Sequence, residues 1–412
     1  MLSYQDRSLY ADSVPLADIA RKVGTPAYVY SAATIRANYR AYADALDGVP
    51  HQICFAVKAN SNLAVLRLLA REGSGFDIVS GGELHRVLAA GGDPARTVYS
   101  GVGKTADEID MAIANGIQSF NCESEAELGL IEAIAARHSK RVAFSLRVNP
   151  DVDAATHPYI STGLREHKFG IDIGEARDVY RRAAALPHLE AAGVSCHIGS
   201  QILDPTPLME ALDKVLDLAR HLAADGLPIR HIDLGGGLGV AYRPEDPAPA
   251  ISAYGQRLRE RFAGAGFELI LEPGRSIVAP AGVLLTRVLY RKRSYGKEFM
   301  VVDAAMNDLI RPSLYQSHHE IIPLRRSDRG TVVADVVGPV CESGDFLARG
   351  REMDNAAPGD LLAVCTAGAY GFVLASNYNA RPRPAEVLVE DDRWRIVRER
   401  ETYAGLMRGE EP

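Results

Sequence analysis

Alternation between strand-like and helix-like segments constrains the fold of this chain most strongly. From about residue 25 to 275, short apolar runs rich in β-branched residues alternate with stretches rich in Ala, Leu, Arg and Glu at helical spacing. The strand-like runs are 27–30, 53–57, 75–79, 97–100, 118–121, 142–148, 191–198, 229–234 and 268–271. Such alternation predicts βαβ units and a parallel sheet. We expect the first run to belong elsewhere, which leaves about eight strands, the number that closes a (β/α)8 barrel in roughly 250 residues. A doubly wound open sheet has the same periodicity and stays a rival.

The pattern changes after Pro280, where strand-like runs follow one another with little helix between them. These runs are 283–290, 298–303, 331–337, 360–364 and 386–390. They predict a second, mostly β domain. Residues before about 25 are too few to fold alone, and we expect them to add a strand to that domain. We therefore place the barrel at 28–278 and the β-rich domain at 1–27 plus 279–412.

Composition excludes several classes of protein. The net charge is −7 without a block of basic residues, which argues against nucleic acid or an anionic membrane surface as a partner. No apolar run is long enough to span a bilayer, and the N-terminus lacks a signal-peptide pattern. The five cysteines are odd in number and widely spaced, without a C-x-x-C pair. They predict neither a disulfide framework nor a zinc knuckle, and they fit a reducing cytoplasm.

Lys58 stands at the end of the apolar run 53–57, which we interpret as a buried strand. Alternation along that strand places Cys54, Ala56 and Lys58 on one face. Burial of a lysine favours its reactive free amine, which is what covalent chemistry with a carbonyl cofactor needs. On this segment alone, the favoured interpretation is a lysine that extends into solvent at the strand end.

Other polar residues also follow strand-like runs. In a (β/α)8 barrel the chemistry lies at the C-terminal ends of the strands, and the loops after strands seven and eight commonly bind phosphate. Here the seventh run leads into Gly235–Gly239, and the eighth leads into Glu272-Pro273-Gly274-Arg275. Turns with glycine let backbone N–H groups approach an anion closely. The glycine run is not a dinucleotide fingerprint, because it lies late in the domain and Val240 stands in the last glycine position.

Glu272, His197 and Asp77 each permit a structural and a functional interpretation. Glu272 could cap a helix or pair with Arg275, or it could hold a proton on a heterocyclic nitrogen. His197 could be a core histidine, and Asp77 precedes a helix-start cluster at 80–83. Taken together, a lysine, a histidine, an acid and a glycine-rich anion loop at different strand ends are hard to explain by packing.

The β-rich domain carries its own polar group. Arg311 and Tyr315 suit a substrate carboxylate, and Cys341 and Glu342 follow a predicted strand directly. Cys341 taken alone could be an inert, half-buried thiol. The run His318-His319-Glu320 looks like a metal cluster, but adjacent residues point apart on a helix or a strand, and we expect no metal there.

Together these residues resemble the fold type III pyridoxal-phosphate (PLP) dependent decarboxylases, whose fold is alanine-racemase-like. Among them the chain is most similar to the members that act on meso-diaminopimelate. The similar blocks follow in the family's order over nearly the whole chain: 55–60, 76–83, 156–163, 168–170, 197–200, 235–239, 272–275, 306–308, 311–315, 341–345, 368–370 and 376–384. Their order and completeness make a chance similarity implausible.

The resemblance implies roles for individual residues. Lys58 would bind PLP covalently, His197 would stack on the ring, and Glu272 would keep the pyridine nitrogen protonated. The residues expected to hold the cofactor are Lys58, Asp77, His197, Ser200, Gly236, Gly237, Glu272, Gly274, Arg275 and Tyr370. Those expected to bind the substrate are Arg275, Arg311, Tyr315, Glu342 and Tyr370. Cys341 would protonate the substrate carbon from the partner subunit of a homodimer, and the reaction would release CO2 from meso-2,6-diaminopimelate to leave L-lysine.

Several alternatives stay open at this point. A related decarboxylase of ornithine, arginine or carboxynorspermidine needs no cation at the far end of its substrate, so Arg311 beside Glu342 argues against it. A decarboxylase of carrier-protein-bound glutamate is harder to separate by sequence. An alanine-type racemase should lack the Cys341–Ser343 block, and a non-catalytic relative should have lost Lys58 or Cys341.

Overall fold

A computed structural model of the protein describes residues 2–153 and 168–411, which form two compact units. The first unit comprises the described residues of Asn38–Val240 together with Pro247–Ser276. The second comprises the described residues of 1–37 and 277–412, together with Ala241–Asp246. The predicted sequence block 156–163 lies outside the described residues.

The first unit is a closed parallel barrel. Each strand pairs in parallel with the next, and the last pairs with the first. Its strands are His51–Ala56, Gly75–Ile78, Thr97–Tyr99, Ser119–Cys122, Val142–Asn149, Leu189–Ser195, His231–Asp233 and Glu268–Leu271. A short strand, Ile171–Asp172, pairs in parallel with the last two residues of Val142–Asn149. Closure confirms the barrel and excludes the open sheet.

Helices follow most of the barrel strands. They are Leu63–Arg71, Gly81–Ala90, Ala106–Asn115, Glu125–Arg137, Ile173–Ala183, Thr206–Ala224 and Ile251–Phe262. Several begin at an N-cap that the sequence supplies: the hydroxyl of Ser80 accepts from the amide of Glu83, and Thr105 and Glu108 form a capping box. Two further helices, Ala32–Ala45 and Arg275–Val278, occur where the chain passes between the units.

The second unit is mostly β structure, as predicted. Its main sheet contains Phe346–Asp354, Thr331–Val337, Lys297–Val302, Gly282–Ser294, Ala27–Ser31, Ala385–Glu390 and Arg393–Arg398 in that spatial order, and Leu361–Val364 and Ile321–Pro323 join it beside Gly282–Ser294. The run at Ala27–Ser31 thus lies outside the barrel, which confirms that prediction. The short helix Arg311–Tyr315 lies between two of these strands, and the short helix Tyr403–Leu406 follows the last strand.

The N-terminal residues differ from the expectation that they add one strand to this sheet. They form a small antiparallel sheet of their own, Leu2–Gln5, Ser8–Ala11 and Val14–Pro15, followed by the helix Leu16–Val23. An isolated bridge from Ser8 to Arg325 links this sheet to the rest of the unit. The reason is packing, because Leu9, Leu16 and Ile19 share a core with residues of the main sheet without extending it. Within 2–153 and 168–411, every helix is too short or too polar to cross a bilayer.

Candidate active site

Lys58 lies just past the end of its barrel strand. The strand ends at Ala56, and Lys58 sits in the 3-10 turn Val57–Ala59 that follows. The prediction that Lys58 shares a strand face with Cys54 and Ala56 is therefore wrong, because the turn redirects the chain after Ala56. The Lys58 ammonium forms an ion pair with Asp77, and the lysine side chain is 34% exposed. Lys58 is thus partly accessible rather than withdrawn from water.

Asp77 lies on the neighbouring strand and is fully buried. Its Oδ2 atom contacts Lys58, while Oδ1 has no hydrogen-bond partner among the described residues. A buried carboxylate is costly unless a cation compensates it, so Asp77 favours a positive charge at the position of Lys58. Nearby, burial raises the pKa of Glu83 to about 7, against the opposing hydrogen bond from the Val79 amide.

A second acidic pair lies at the ends of the last two barrel strands. Asp233 and Glu272 are hydrogen-bonded to each other, and Asn121 donates to both at 2.8 and 3.2 Å. The hydroxyl of Ser100 also donates to Glu272 at 3.3 Å. Burial, and then the charge of Asp233, raise the pKa of Glu272 well above its usual range. Burial likewise raises the pKa of Asp233 to about 6. The pair therefore retains a proton until a cation is placed beside it.

His197 lies two residues beyond its strand, which ends at Ser195 rather than at the histidine. The backbone amide of Gly236 donates to Nδ1 of His197 at 3.3 Å, so the ring hydrogen belongs on Nε2. Burial, followed by the charges of Arg147 and Lys58, lowers the pKa of His197 well below its usual value. The imidazole is consequently neutral at neutral pH.

The glycine turns leave no room for side chains. A Cβ on Gly236 would lie 2.4 Å from the backbone oxygen of Glu272, and one on Gly274 would lie 2.8 Å from the Cβ of Ala59. Gly237 has φ of +111°, a conformation that favours glycine, and a Cβ there would meet the Gly199 oxygen at 2.8 Å. Nη2 of Arg275 donates to the Ser200 hydroxyl at 2.9 Å. The barrel thus brings Lys58 to Asp77, His197 to Gly236, and Ser200 to Arg275.

This set of groups suits pyridoxal phosphate. An amine stands ready for the carbonyl carbon, a buried carboxyl of raised pKa can hold a proton on a pyridine nitrogen, and narrow glycine turns with a serine and an arginine can surround a phosphate. The unpartnered Oδ1 of Asp77 adds a buried acceptor beside the lysine.

The second unit holds the remaining predicted residues. Arg311 is buried at the start of the helix Arg311–Tyr315, and its guanidinium lies over the rings of Tyr242 and Tyr315, with centroids at 5.1 and 5.7 Å. Nη2 of Arg311 donates to the Ser317 hydroxyl at 3.2 Å, and Nε donates to Nε2 of His319 at 3.4 Å. Arg311 and Tyr315 are therefore neighbours, as predicted.

Cys341 and Glu342 lie in an exposed loop. The Cys341 amide donates to the side-chain oxygen of Asn379 at 2.8 Å, and the strand that precedes the loop ends at Val337. The idea of a half-buried cysteine is wrong, since the thiol residue is exposed. A hydrogen bond with Glu342 raises the pKa of Tyr378. Tyr370 has φ of +55°, a strained backbone conformation for a bulky residue.

Sequence reasoning did not select some residues of these groups. Ser100, Asn121 and Asp233 each lie at or just beyond the end of a barrel strand, and polar residues in those positions of apolar runs were the available signal. His319 was considered only as a metal ligand. Its contact with Arg311 joins residues eight apart across a turn, and no periodicity indicates it.

Comparison with known proteins agrees with this geometry. Residues 32–279 match the family described as "Pyridoxal-dependent decarboxylase, pyridoxal binding domain". The diaminopimelate decarboxylase of Pseudomonas aeruginosa is 58% identical over 99% of this chain and 98% of its own length. The crystal structure of diaminopimelate decarboxylase from Helicobacter pylori complexed with L-lysine has a TM-score of 0.92 and 44% identity, and covers 95% of this chain and 98% of its own. The corresponding structure from M. jannaschii in co-complex with L-lysine has a TM-score of 0.94 and 38% identity, over 100% and 98% of the two chains.

Proposed function

The chain belongs to the pyridoxal-dependent decarboxylase family, and on that premise we propose that it converts meso-2,6-diaminopimelate to L-lysine and CO2. The observation that carries this proposal is the 58% identity to a diaminopimelate decarboxylase over nearly the full length of both chains. The polar residues of the barrel are consistent with pyridoxal phosphate as the cofactor. Those of the second unit are consistent with a substrate that has a charged distal end.

When bound, the cofactor supplies an electron sink for the electron pair that decarboxylation leaves on the substrate Cα. Lys58 would hold it covalently, and Asp77 pairs with the Lys58 ammonium until that proton is given up. Glu272 keeps a proton on the pyridine nitrogen, which a neutral partner would do less well. The neutral imidazole of His197 binds the ring without adding a competing positive charge. Backbone groups of Gly236, Gly237, Gly274 and Arg275, together with the hydroxyl of Ser200, would hold the cofactor phosphate. Tyr370 would contact both cofactor and substrate.

The distal end of diaminopimelate carries a carboxylate and an ammonium, so its recognition needs both a cation and an anion. Arg275, Arg311 and Tyr315 bind the carboxylate, and Glu342 binds the ammonium. Cys341 delivers the proton to the substrate Cα. We place Cys341 at the site of the partner subunit in a homodimer, a proposal that the exposure of its loop on the single chain supports.

We assign separate functions to the two domains. We propose that the barrel, predicted over 28–278, binds PLP and that the β-rich domain, predicted over 1–27 with 279–412, contributes substrate and dimer contacts. The strand Ala27–Ser31 belongs to the β-rich unit. The five cysteines are all unpaired, which supports a location in the reducing cytoplasm.

The test is an assay of CO2 and L-lysine release from meso-diaminopimelate by the PLP-loaded protein, with L-ornithine, L-arginine and L-lysine as comparison substrates. We expect turnover with diaminopimelate and none above background with the others. Preferred turnover of a comparison substrate would replace the proposed substrate but retain the reaction class. An absence of CO2 release from every amino acid would reject decarboxylation.

A further inference from the structure

The ring of His319 is fully buried and both of its nitrogens are engaged. Nδ1 lies 2.9 Å from the backbone oxygen of Cys365. Because a carbonyl oxygen only accepts, Nδ1 carries the hydrogen. Nε2 lies 3.4 Å from Nε of Arg311, which only donates, so Nε2 must present its lone pair. The two contacts together require a neutral imidazole in a single tautomer.

The surroundings hold this ring in place. The ring of Tyr242 meets it edge-on with the centroids 5.1 Å apart, and Arg351 donates to the backbone oxygen of His319 at 3.0 Å. Tyr242 also lies against the guanidinium of Arg311. His319 therefore fixes the Nε edge of Arg311, while Ser317 accepts from Nη2 and the rings of Tyr242 and Tyr315 lie near the guanidinium.

We propose that His319 is a positioning residue for substrate specificity, which holds Arg311 so that its terminal Nη1 and Nη2 edge receives the distal carboxylate of the substrate. Arginine binds carboxylates through two parallel N–H donors, and the Nε edge is already taken by His319. This inference rests on the proposed function, because it assumes that Arg311 binds the distal carboxylate.

Two substitutions of His319 separate its two hydrogen bonds. In His319→Asn, the short amide can donate from near the position of Nδ1 to Cys365, but it has no acceptor at the position of Nε2. In His319→Gln, the longer amide oxygen reaches the Nε2 position and can still accept from Arg311. We expect the Asn variant to raise KM for diaminopimelate about tenfold with kcat within about twofold, because one hydrogen bond to a charged group is lost. We expect the Gln variant to keep KM within about twofold of the unchanged protein.

Cadaverine is a useful probe because, unlike the product L-lysine, it lacks the carboxylate that diaminopimelate carries at its distal end. Its inhibition constant should change by less than about twofold in both variants if His319 acts only through Arg311 and that carboxylate. His318→Asn is the matched control, since the ring of His318 pairs with Glu320. Thermal unfolding of each PLP-loaded variant shows whether it is folded.

The outcomes are distinct. An unchanged KM in His319→Asn, or an equal rise in the cadaverine inhibition constant, would overturn the inference, because the first result shows no effect on the substrate and the second indicates a general loss of binding. If the Asn variant does not fold, the Gln variant decides: a KM near that of the unchanged protein supports the inference, and a tenfold rise with the acceptor retained contradicts it. Failure of the unchanged protein to decarboxylate diaminopimelate would instead reject the proposed function.

Discussion

The strand ends of the barrel and the Cys341–Asp345 loop both carry predicted site residues, but they prepare them differently. At the barrel ends, Asp77, His197 and Glu272 are buried or nearly so, and each has polar neighbours within the same unit. In the loop, Cys341 and Glu342 are exposed, with contacts to Asn379 and Tyr378. Strand ends fix side chains through the backbone ladder, whereas an exposed loop leaves its groups available to something outside the chain.

This difference suits the barrel residues and the loop residues to different tasks. Buried groups of raised or lowered pKa are suited to holding a cofactor, because the protein environment sets their charge in advance. Exposed groups are suited to a site that is completed by association with a second subunit.

Removal of Lys58 tests the barrel side. Lys58→Ala should lower kcat at least about a thousandfold, which corresponds to about 4 kcal/mol, because the cofactor loses its covalent attachment. Borohydride reduction followed by mass spectrometry of the peptide should find the cofactor on Lys58 in the unchanged protein and nowhere in the variant. Lys58→Arg is the control, because it keeps a cation beside Asp77. It should retain the stability that the ion pair with Asp77 gives to the folded protein, but it should not restore turnover. A reducible adduct in either variant would contradict the assignment of Lys58.

Complementation between subunits tests the loop side. Homodimers of Lys58→Ala and of Cys341→Ala should each be nearly inactive. If Cys341 acts in the partner's site, a mixed dimer has one site with both lesions and one with neither. Random equal mixing makes about half of the dimers mixed, so about a quarter of all sites should recover. If one subunit contributed both residues, each site of a mixed dimer would carry one lesion, and no activity would return. Subunit exchange must be verified independently for this result to count.

Substitution of Glu342 tests whether the loop recognises substrate rather than cofactor. Glu342→Gln keeps an acceptor for Tyr378 but loses the charge that pairs with the distal ammonium. We expect kcat/KM for diaminopimelate to fall between about tenfold and a few hundredfold, with the affinity for PLP unchanged. Tyr378→Phe serves as the control for the loop contact alone and should have the smaller effect. Equal kinetics in Glu342→Gln and the unchanged protein would refute this role.

The contrast also explains what the sequence could predict. The barrel followed from alternating segments, and the strand-end positions of Asp77 and Glu272 followed from the rule that chemistry lies there. The turn that carries Lys58 and the extension of His197 past its strand did not, because strand ends depend on hydrogen bonds that periodicity does not record. The Asn121 contacts with Asp233 and Glu272 bridge 112 and 151 residues, so only the closed barrel reveals them. Most residue roles came from family resemblance.

The last prediction concerns the proton held by the Asp233–Glu272 pair in the protein without PLP. Burial raises the pKa of Asp233 from 3.8 to about 6, so the folded protein retains a proton that the unfolded chain has already lost. The contribution of this proton to the free energy of unfolding is therefore fully present below about pH 4. It is lost as the pH rises through about 6, and the loss is up to about 3 kcal/mol over two pH units. Denaturant unfolding from pH 4 to 8 at fixed protein concentration should show this decrease, and Asp233→Asn should reduce its slope because it removes one titrating group. Glu342→Gln, in the exposed loop, should leave the slope unchanged. If the free energy of unfolding had the same pH slope in Asp233→Asn and in the unchanged protein, Asp233 would not be the residue that holds the proton. The charge of the barrel site would then not be set at Asp233 before the cofactor binds.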